Sequence, residues 1–358
     1  MKKILLISTA LGILLASCQK DDDAIGSLAS NDPMALKNEK SSLTAAKDYL
    51  VSTAAGTGNF DEENVDGPIA TAKTGTINQI IAEPDGKIYY NGSGGIRLFD
   101  GVSLKTIVPP NILGGARSFA KDKDGNFYTV NFNTPAIYKI TPGGSKSIFA
   151  GCETIFGHKD GKALQARFAH LESIVIGDDG SIYVSEIETT SNTQTPDNAL
   201  VASYIRKITP TGTVTTMAGG LAGNVDGQGT EARFNYPLEL VKGPQGHIYI
   251  RTESKLRKMT PQGLVSTVFN HSGGQSITVA QDGSVYGTVI GEFFEGVYKT
   301  PNDGNFVIIA GQSEGYVDGT GDVAKFDDPT GIAYSVFDNS LYIGDNVNHR
   351  LRKIKLPN

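Results

Sequence analysis

Asp338-Asn339-Ser340-Leu341-Tyr342-Ile343-Gly344-Asp345-Asn346-Val347-Asn348-His349-Arg350-Leu351-Arg352-Lys353-Ile354 is the stretch that decides the fold. It reads as a polar turn, a strand carrying a tyrosine, a short loop, and a strand in which apolar and basic residues alternate. The same phrase recurs upstream. Turns at Asp85-Gly86, Asp124-Gly125, Asp179-Gly180, Gln245-Gly246 and Asp282-Gly283 are each followed by a tyrosine: Tyr89, Tyr128, Tyr183, Tyr249 and Tyr286. Asp-Gly between two apolar runs is a strong hairpin signal, because Gly accepts the positive φ that a twist-matched turn requires.

Each hairpin leads into a further strand: IRLF at 96–99, IYKI at 137–140, IRKI at 205–208, LRKM at 256–259, VYKT at 297–300 and LRKI at 351–354. Their alternation predicts one packed face, with the basic side chains snorkelling outward. Fourth strands end in Phe149-Ala150-Gly151, Met217-Ala218-Gly219 and Ile309-Ala310-Gly311, with looser versions at 104–108 and 264–269. The last copy lacks a fourth strand, whereas Leu50-Val51-Ser52-Thr53-Ala54-Ala55-Gly56 has that signature with no repeat before it. Repeats of this length and pattern, offset by one strand, predict an all-β, six-bladed β-propeller closed by an N-terminal strand that completes the last blade. The domain then runs from 49 to 358.

The composition agrees. Of 358 residues 43 are Gly and none is Trp, which suits many short strands joined by tight turns. The formal charge is −6, without a basic block, so nucleic acid is not an expected partner. Lys2 and Lys3 followed by the apolar run Ile4 to Leu15 read as a signal peptide over 1–17. The run ends in Leu15-Ala16-Ser17-Cys18, which resembles the bacterial lipobox, so Cys18 is the expected lipidation site. Gln19-Lys20-Asp21-Asp22-Asp23 then looks like the surface-export signal of Bacteroidetes lipoproteins. Residues 18–48 read as a lipid-anchored flexible tether. The implied location is the outer membrane, facing the cell surface, with a periplasmic orientation as the alternative. Cys152 is left without a disulfide partner and reads as a small buried apolar residue.

The repeat resembles the NHL family over essentially the whole mature domain, most closely in the Tyr342–Ile354 phrase. A second family feature, KDGKALQARF (159–168), VDGQGTEARF (225–234) and VDGTGDVAKF (317–326), introduces blades 3, 4 and 6; blades 2 and 5 lack it.

Propeller ligands sit at one mouth of the central channel, reached by the loops between blades and between second and third strands. The Asp-Gly turns lie at the other end, so the calcium-like Asp122-Lys123-Asp124-Gly125-Asn126 reads as a plain hairpin. Alignment of the first strands on their turns places Asn78, Arg117, Glu172, Leu238, Gln275 and Thr330 at the rim. In six-bladed lactonases of the gluconolactonase type, which the architecture resembles, this ring supplies metal ligands. Here only Asn78 and Glu172 suit a cation, and Arg117 between them opposes one and is expected to pair with Glu172.

Gly92, Asn131, Glu186, Thr252, Val289 and Asp345 form a second ring, in which Asp345 braces its own loop. Glu186 opens the longest insertion, 186–202, which is either a lid or a tolerated insertion. His158, His170 and His271 read as exposed loop histidines rather than as the zinc set of NHL amidating lyases.

The sequence therefore points to a surface-displayed, monomeric, non-catalytic binding or adhesion module that takes a glycan or protein ligand at the channel mouth. Asn78, Arg117, Glu172, Gln275, Thr330, Glu186 and Tyr236 are the candidate ligand-binding residues. No cofactor is expected, a divalent cation being the alternative. The rival function is a metal-dependent lactonase or lyase on the same scaffold.

Overall fold

The computed structural model describes residues 46–58, 64–190, 199–271, 274–291, 294–300 and 306–357. The expected signal peptide, Cys18 and most of the tether lie outside the described residues, as does the middle of the 186–202 insertion.

Six antiparallel sheets form a six-bladed propeller. Their first strands are Gln79–Ala82, Ser118–Lys121, His170–Ile176, Pro237–Lys242, Ile277–Val279 and Pro329–Ser335. Successive first strands touch around the ring and so line its axis. The sixth sheet is closed by Leu50–Ala55, which runs antiparallel to Arg350–Lys355 with Val51 opposite Ile354 and Thr53 opposite Arg352. Its register shifts between Thr53 and Ala55, just as the chain-internal fourth strands shift at Ile148/Ala150 and at Thr216/Ala218.

The Ala-Gly ending of these strands follows from that bulge. Gly151 and Gly219 have φ of +90° and +105°, and a Cβ there would meet the Pro135 and Ser203 carbonyl oxygens at 2.5 and 2.2 Å. Glycine alone accepts both conditions without strain.

The core is divided among the gaps between blades, and the repeated tyrosine explains how. Tyr89 packs with Phe119 and Phe127 of blade 2, Tyr183 with Leu240 and Ile250 of blade 4, and Tyr286 with Ile332 and Ile343 of blade 6. Each tyrosine thus enters the gap to the following blade. One hairpin signal in the sequence becomes one seam of the ring.

The structure corrects three expectations. The first basic residue of the third strands does not snorkel outward: Arg97, Arg206, Arg257 and Arg352 are all 0% exposed. Each meets an aspartate of a preceding loop, as Arg97–Asp66 at 2.8 Å, Arg206–Asp160 at 2.7 Å, Arg257–Asp226 at 2.5 Å and Arg352–Asp318 at 2.7 Å. They also donate to loop carbonyls, for example Arg257 to Arg233 O and Val225 O. Each aspartate in turn accepts the N–H and hydroxyl of a fourth-strand threonine: Thr106, Thr216, Thr267 and, from the closing strand, Thr53. Partial burial pushes Asp66, Asp160 and Asp226 up, but the threonine donors and the arginines together hold them below the ordinary carboxylate value.

The second correction is that four blades, not three, carry this loop. Val65 bridges Lys73 as Lys159 bridges Arg167, Val225 bridges Arg233 and Val317 bridges Lys325. Val65-Asp66-Gly67 is the blade 1 copy, disguised because Thr74 stands where the others have phenylalanine. The four loops add the two-residue strands Gly67–Pro68, Gly161–Lys162, Gly227–Gln228 and Gly319–Thr320 to their blades' outer edges. Blades 2 and 5 place Tyr138 and Tyr298 where the others place arginine, so the guanidinium and its loop occur together.

Cys152 is only partly buried, not sunk in the core, and forms no disulfide. Asp122 makes an ordinary hairpin, with its oxygens taken by Asp124 N, Asn126 N and the Asn126 amide.

Asp226→Ala is expected to cost about 3 kcal/mol, because Arg257 loses its carboxylate partner while remaining buried. Asp160→Ala is expected to cost distinctly less, since Arg206 keeps Glu186. Urea unfolding compares the two, and equal losses would refute the clamp. Deleting 49–57 should destabilise the whole ring by baring the Arg350–Lys355 edge; an unchanged melting temperature would contradict the closure.

Candidate functional site

The side chains that reach the channel mouth are set by a network one residue deeper. A first strand facing the axis has backbone N–H groups that its own blade does not satisfy. Side chains of neighbouring blades supply acceptors: Gln79 for Phe119 N at 2.8 Å, Ser118 for Ile174 N at 3.1 Å, Ser173 for Leu240 N at 3.0 Å and Glu239 for Ile277 N at 3.1 Å. This lacing fixes the preceding residue of each strand at the rim.

Arg117 and Glu172 are therefore brought together from adjacent blades, with Nε 2.6 Å from Oε2. The geometry is that of a charge pair rather than an aligned hydrogen bond, and Oε2 has no hydrogen-bond donor. The two ends differ in solvation: the Arg117 side chain is 50% exposed and that of Glu172 is 4%. Burial raises the Glu172 carboxyl above its ordinary value against the opposing pull of Arg117 and Arg251. Deeper in the ring Arg251 pairs with Glu239 at 3.0 Å, and Glu239 also accepts Ser276 Oγ at 2.6 Å.

Arg117 also borders a groove of about 600 Å³ between blades 1 and 2, where Asn78, Ser93, Pro110, Asn131, Phe132 and Asn133 are among the lining residues. Its position follows from the sequence: blade 2 lacks the Asp-Gly loop, and the one-turn helix Pro110–Leu113 takes the place of that cover. Phe132 supports Arg117, whose guanidinium carbon lies 5.6 Å from the ring centroid. Asn131 is committed to the fold, donating to Gly115 O at 3.0 Å and accepting Asn133 N at 2.9 Å. The side chains of Asn78 and Asn133 make no hydrogen bond among the described residues.

The other rim candidates stand differently. Thr330 is engaged between blades, donating to Ile77 O at 2.6 Å and accepting from the Asn346 amide at 2.9 Å. Gln275 is exposed, and Tyr236 is half-buried with φ of +47°. No hydrogen bond or ion pair joins either to Arg117 or Glu172 among the described residues. Glu186 is 0% exposed, pairs with Arg206 and accepts Ala169 N at 2.9 Å. Asp345 does the same in blade 6, pairing with Arg352 at 2.5 Å and accepting Asp327 N at 2.8 Å.

The three histidines expected in exposed loops are instead packed. His170 is 1% exposed, stacks on Phe132 at 4.2 Å and bonds Phe132 O at 2.9 Å. His158 stacks on Tyr204 at 3.8 Å, and its Nε2 lies 3.1 Å from Thr216 Oγ1. His271 is flanked by Phe269 and Phe306, and burial pushes it down to about 4. No cluster of three or more His, Cys, Asp or Glu side chains suited to a metal stands together among the described residues.

Sequence reasoning missed Gln79, Ser118, Ser173 and Glu239, although each directly follows a rim residue. A polar residue at that place in four aligned first strands was the available signal.

No family model matches the chain, and no curated protein does. Solved structures do, as six-bladed propellers. A protein of unknown function from Bacteroides thetaiotaomicron is 19% identical, with a TM-score of 0.58, covering 86% of this chain and 76% of that one. A gluconolactonase from Xanthomonas campestris is 13% identical, with a TM-score of 0.54, covering 80% and 88%. A virginiamycin B lyase from Staphylococcus aureus is 12% identical, with a TM-score of 0.50, covering 86% and 100%. At these identities the likeness establishes the propeller and nothing about the site.

A raised carboxyl destabilises the folded state above its folded pKa, and the penalty disappears as pH falls through that value. Arg117→Ala should therefore cost about 1–2 kcal/mol at neutral pH, less than a fully buried pair because Arg117 is half in water. The loss should shrink at about pH 4, where Glu172 is largely protonated. Glu172→Gln should cost less than Arg117→Ala, since Arg117 then turns to solvent. Equal losses at both pH values would refute this account of the pair.

Proposed function

We propose that this chain is a lipid-anchored propeller of NHL type, displayed on the cell surface through Cys18, that binds a glycan or protein ligand without catalysis. The observation that carries the binding part is the groove beside Arg117. Its lining offers amides, hydroxyls, one aromatic ring and one cation, which is recognition chemistry rather than an acid–base pair. The candidate ligand residues are Asn78, Arg117 and Glu172 at the mouth, joined by Asn133 and Phe132. Gln275 and Tyr236 belong to the same face, whereas Thr330 and Glu186 are engaged in holding blades and loops.

The lipid anchor rests on the Lys2-Lys3, apolar run and Leu15-Ala16-Ser17-Cys18 series. Surface display rests on the acidic cluster after Cys18. The NHL assignment rests on the repeat phrase and on the four Asp-Gly loops. The alternative, a metal-dependent lactonase or lyase, finds no support at the rim: Glu172, the carboxylate there, already faces Arg117.

A glycan array probed with the full chain should return hits that weaken about tenfold in Asn78→Ala or Asn133→Ala, with melting temperature unchanged. Hits indifferent to both variants would move the site elsewhere. Cys18→Ala should abolish labelling by a fatty-acid probe; a labelled variant would overturn the lipoprotein reading.

A further inference from the structure

The groove between blades 1 and 2 has one property that restricts its ligand. Arg117 is the only charged side chain among those that line it. Glu172 approaches Arg117 at Nε. The two terminal nitrogens, Nη1 and Nη2, make no hydrogen bond among the described residues. Nε and the Nη1/Nη2 fork lie on different edges of the planar guanidinium, so a second anion can occupy the fork without displacing Glu172. Phe132 beneath the guanidinium and Glu172 at its side restrict its orientation. The fork is therefore held ready, with little left to order on binding.

The fork matches one carboxylate in bidentate fashion. With no second cation in the lining, a monoanion is favoured over a phosphate dianion. The free amides of Asn78 and Asn133 each combine a donor and an acceptor, which suits vicinal hydroxyls. An extended peptide is less well served, because the first-strand edges it would need are already laced by side chains of neighbouring blades. The volume of about 600 Å³ exceeds what one carboxylate requires and leaves room for a ring beside it.

We infer that the groove binds an acidic saccharide, a uronic acid unit whose carboxylate sits on the open fork of Arg117 while Asn78 and Asn133 take its hydroxyls. This rests on the binding reading above and specifies the ligand class for the same groove.

The test titrates the full chain calorimetrically, at constant ionic strength, with two matched pairs, digalacturonate against digalactose and glucuronate against glucose. N-acetyl-aspartate amide serves as a peptide-type carboxylate. The acid of at least one pair should bind tenfold or more tightly than its neutral partner. In Arg117→Ala that ratio should fall to near one, and Arg117→Lys should restore it only partly, because an ammonium keeps the charge without the fork. Asn133→Ala should weaken acid and neutral sugar alike, leaving the ratio unchanged, and it provides a variant that touches no buried group.

Equal affinity for acid and neutral partner in the parent overturns the inference while the binding reading stands. Binding of no sugar from either pair overturns the inference, and the glycan array then decides whether the binding reading stands. Tighter binding of the aspartate derivative overturns the saccharide in favour of a peptide carboxylate. An acid preference that survives Arg117→Ala overturns the assigned residue.

Discussion

A guanidinium removed from water has to find its donors' partners inside the protein, and that requirement organises this propeller. Arg97, Arg206, Arg257 and Arg352 are completely buried, and each gathers a loop aspartate and loop carbonyls around itself. The aspartate then reaches the fourth strand through a threonine. One side chain thus fastens a third strand, a fourth strand and the loop that leads into the same blade. Buried charge pairs are not by themselves a large source of stability. Their value here is specificity, since a register slip would leave a dehydrated cation alone. In the last blade the threonine is Thr53, so the same interaction fastens the beginning of the domain to its end.

Around the axis a different need acts. First strands expose one edge, and the lacing by Gln79, Ser118, Ser173 and Glu239 covers it with side chains from the neighbouring blade. Because each lacing residue is held, the residue before it is aimed at the mouth. Arg117 and Glu172 meet for that reason. Where a blade lacks its Asp-Gly loop, as blade 2 does, a one-turn helix stands in its place and lines the groove beside this pair. Scaffold and candidate site are therefore two results of one repeat and its omissions.

Much of this was legible in residue order. Hairpin turns, the tyrosine of each second strand and the displaced Leu50–Ala55 segment gave blade number and closure, because they depend on local backbone preference and on alternation. The pairing of Arg117 with Glu172 was also legible, by aligning strands on their turns. The arginines were misjudged because alternation marks which face a side chain takes, not whether a loop distant in sequence covers that face. Glu186 looked available for a similar reason, since nothing local shows that Arg206 and Ala169 N occupy its oxygens. The histidines were misplaced because stacking on Phe132, Tyr204 or Phe269 joins segments that only the packed ring brings together.

The sequence by itself determined the number of blades, the strand that closes them and the face on which ligands are expected, since these follow from period-two alternation, turn chemistry and repeat counting. Only the tertiary structure decided which polar groups remain uncommitted. Glu186, Thr330 and Asn131 are consumed by the fold, while Asn78, Asn133 and the outer edge of Arg117 make no hydrogen bond among the described residues. The physical reason is that a polar group's availability depends on what has already satisfied it, and its partners here come from other blades and from loops many residues away.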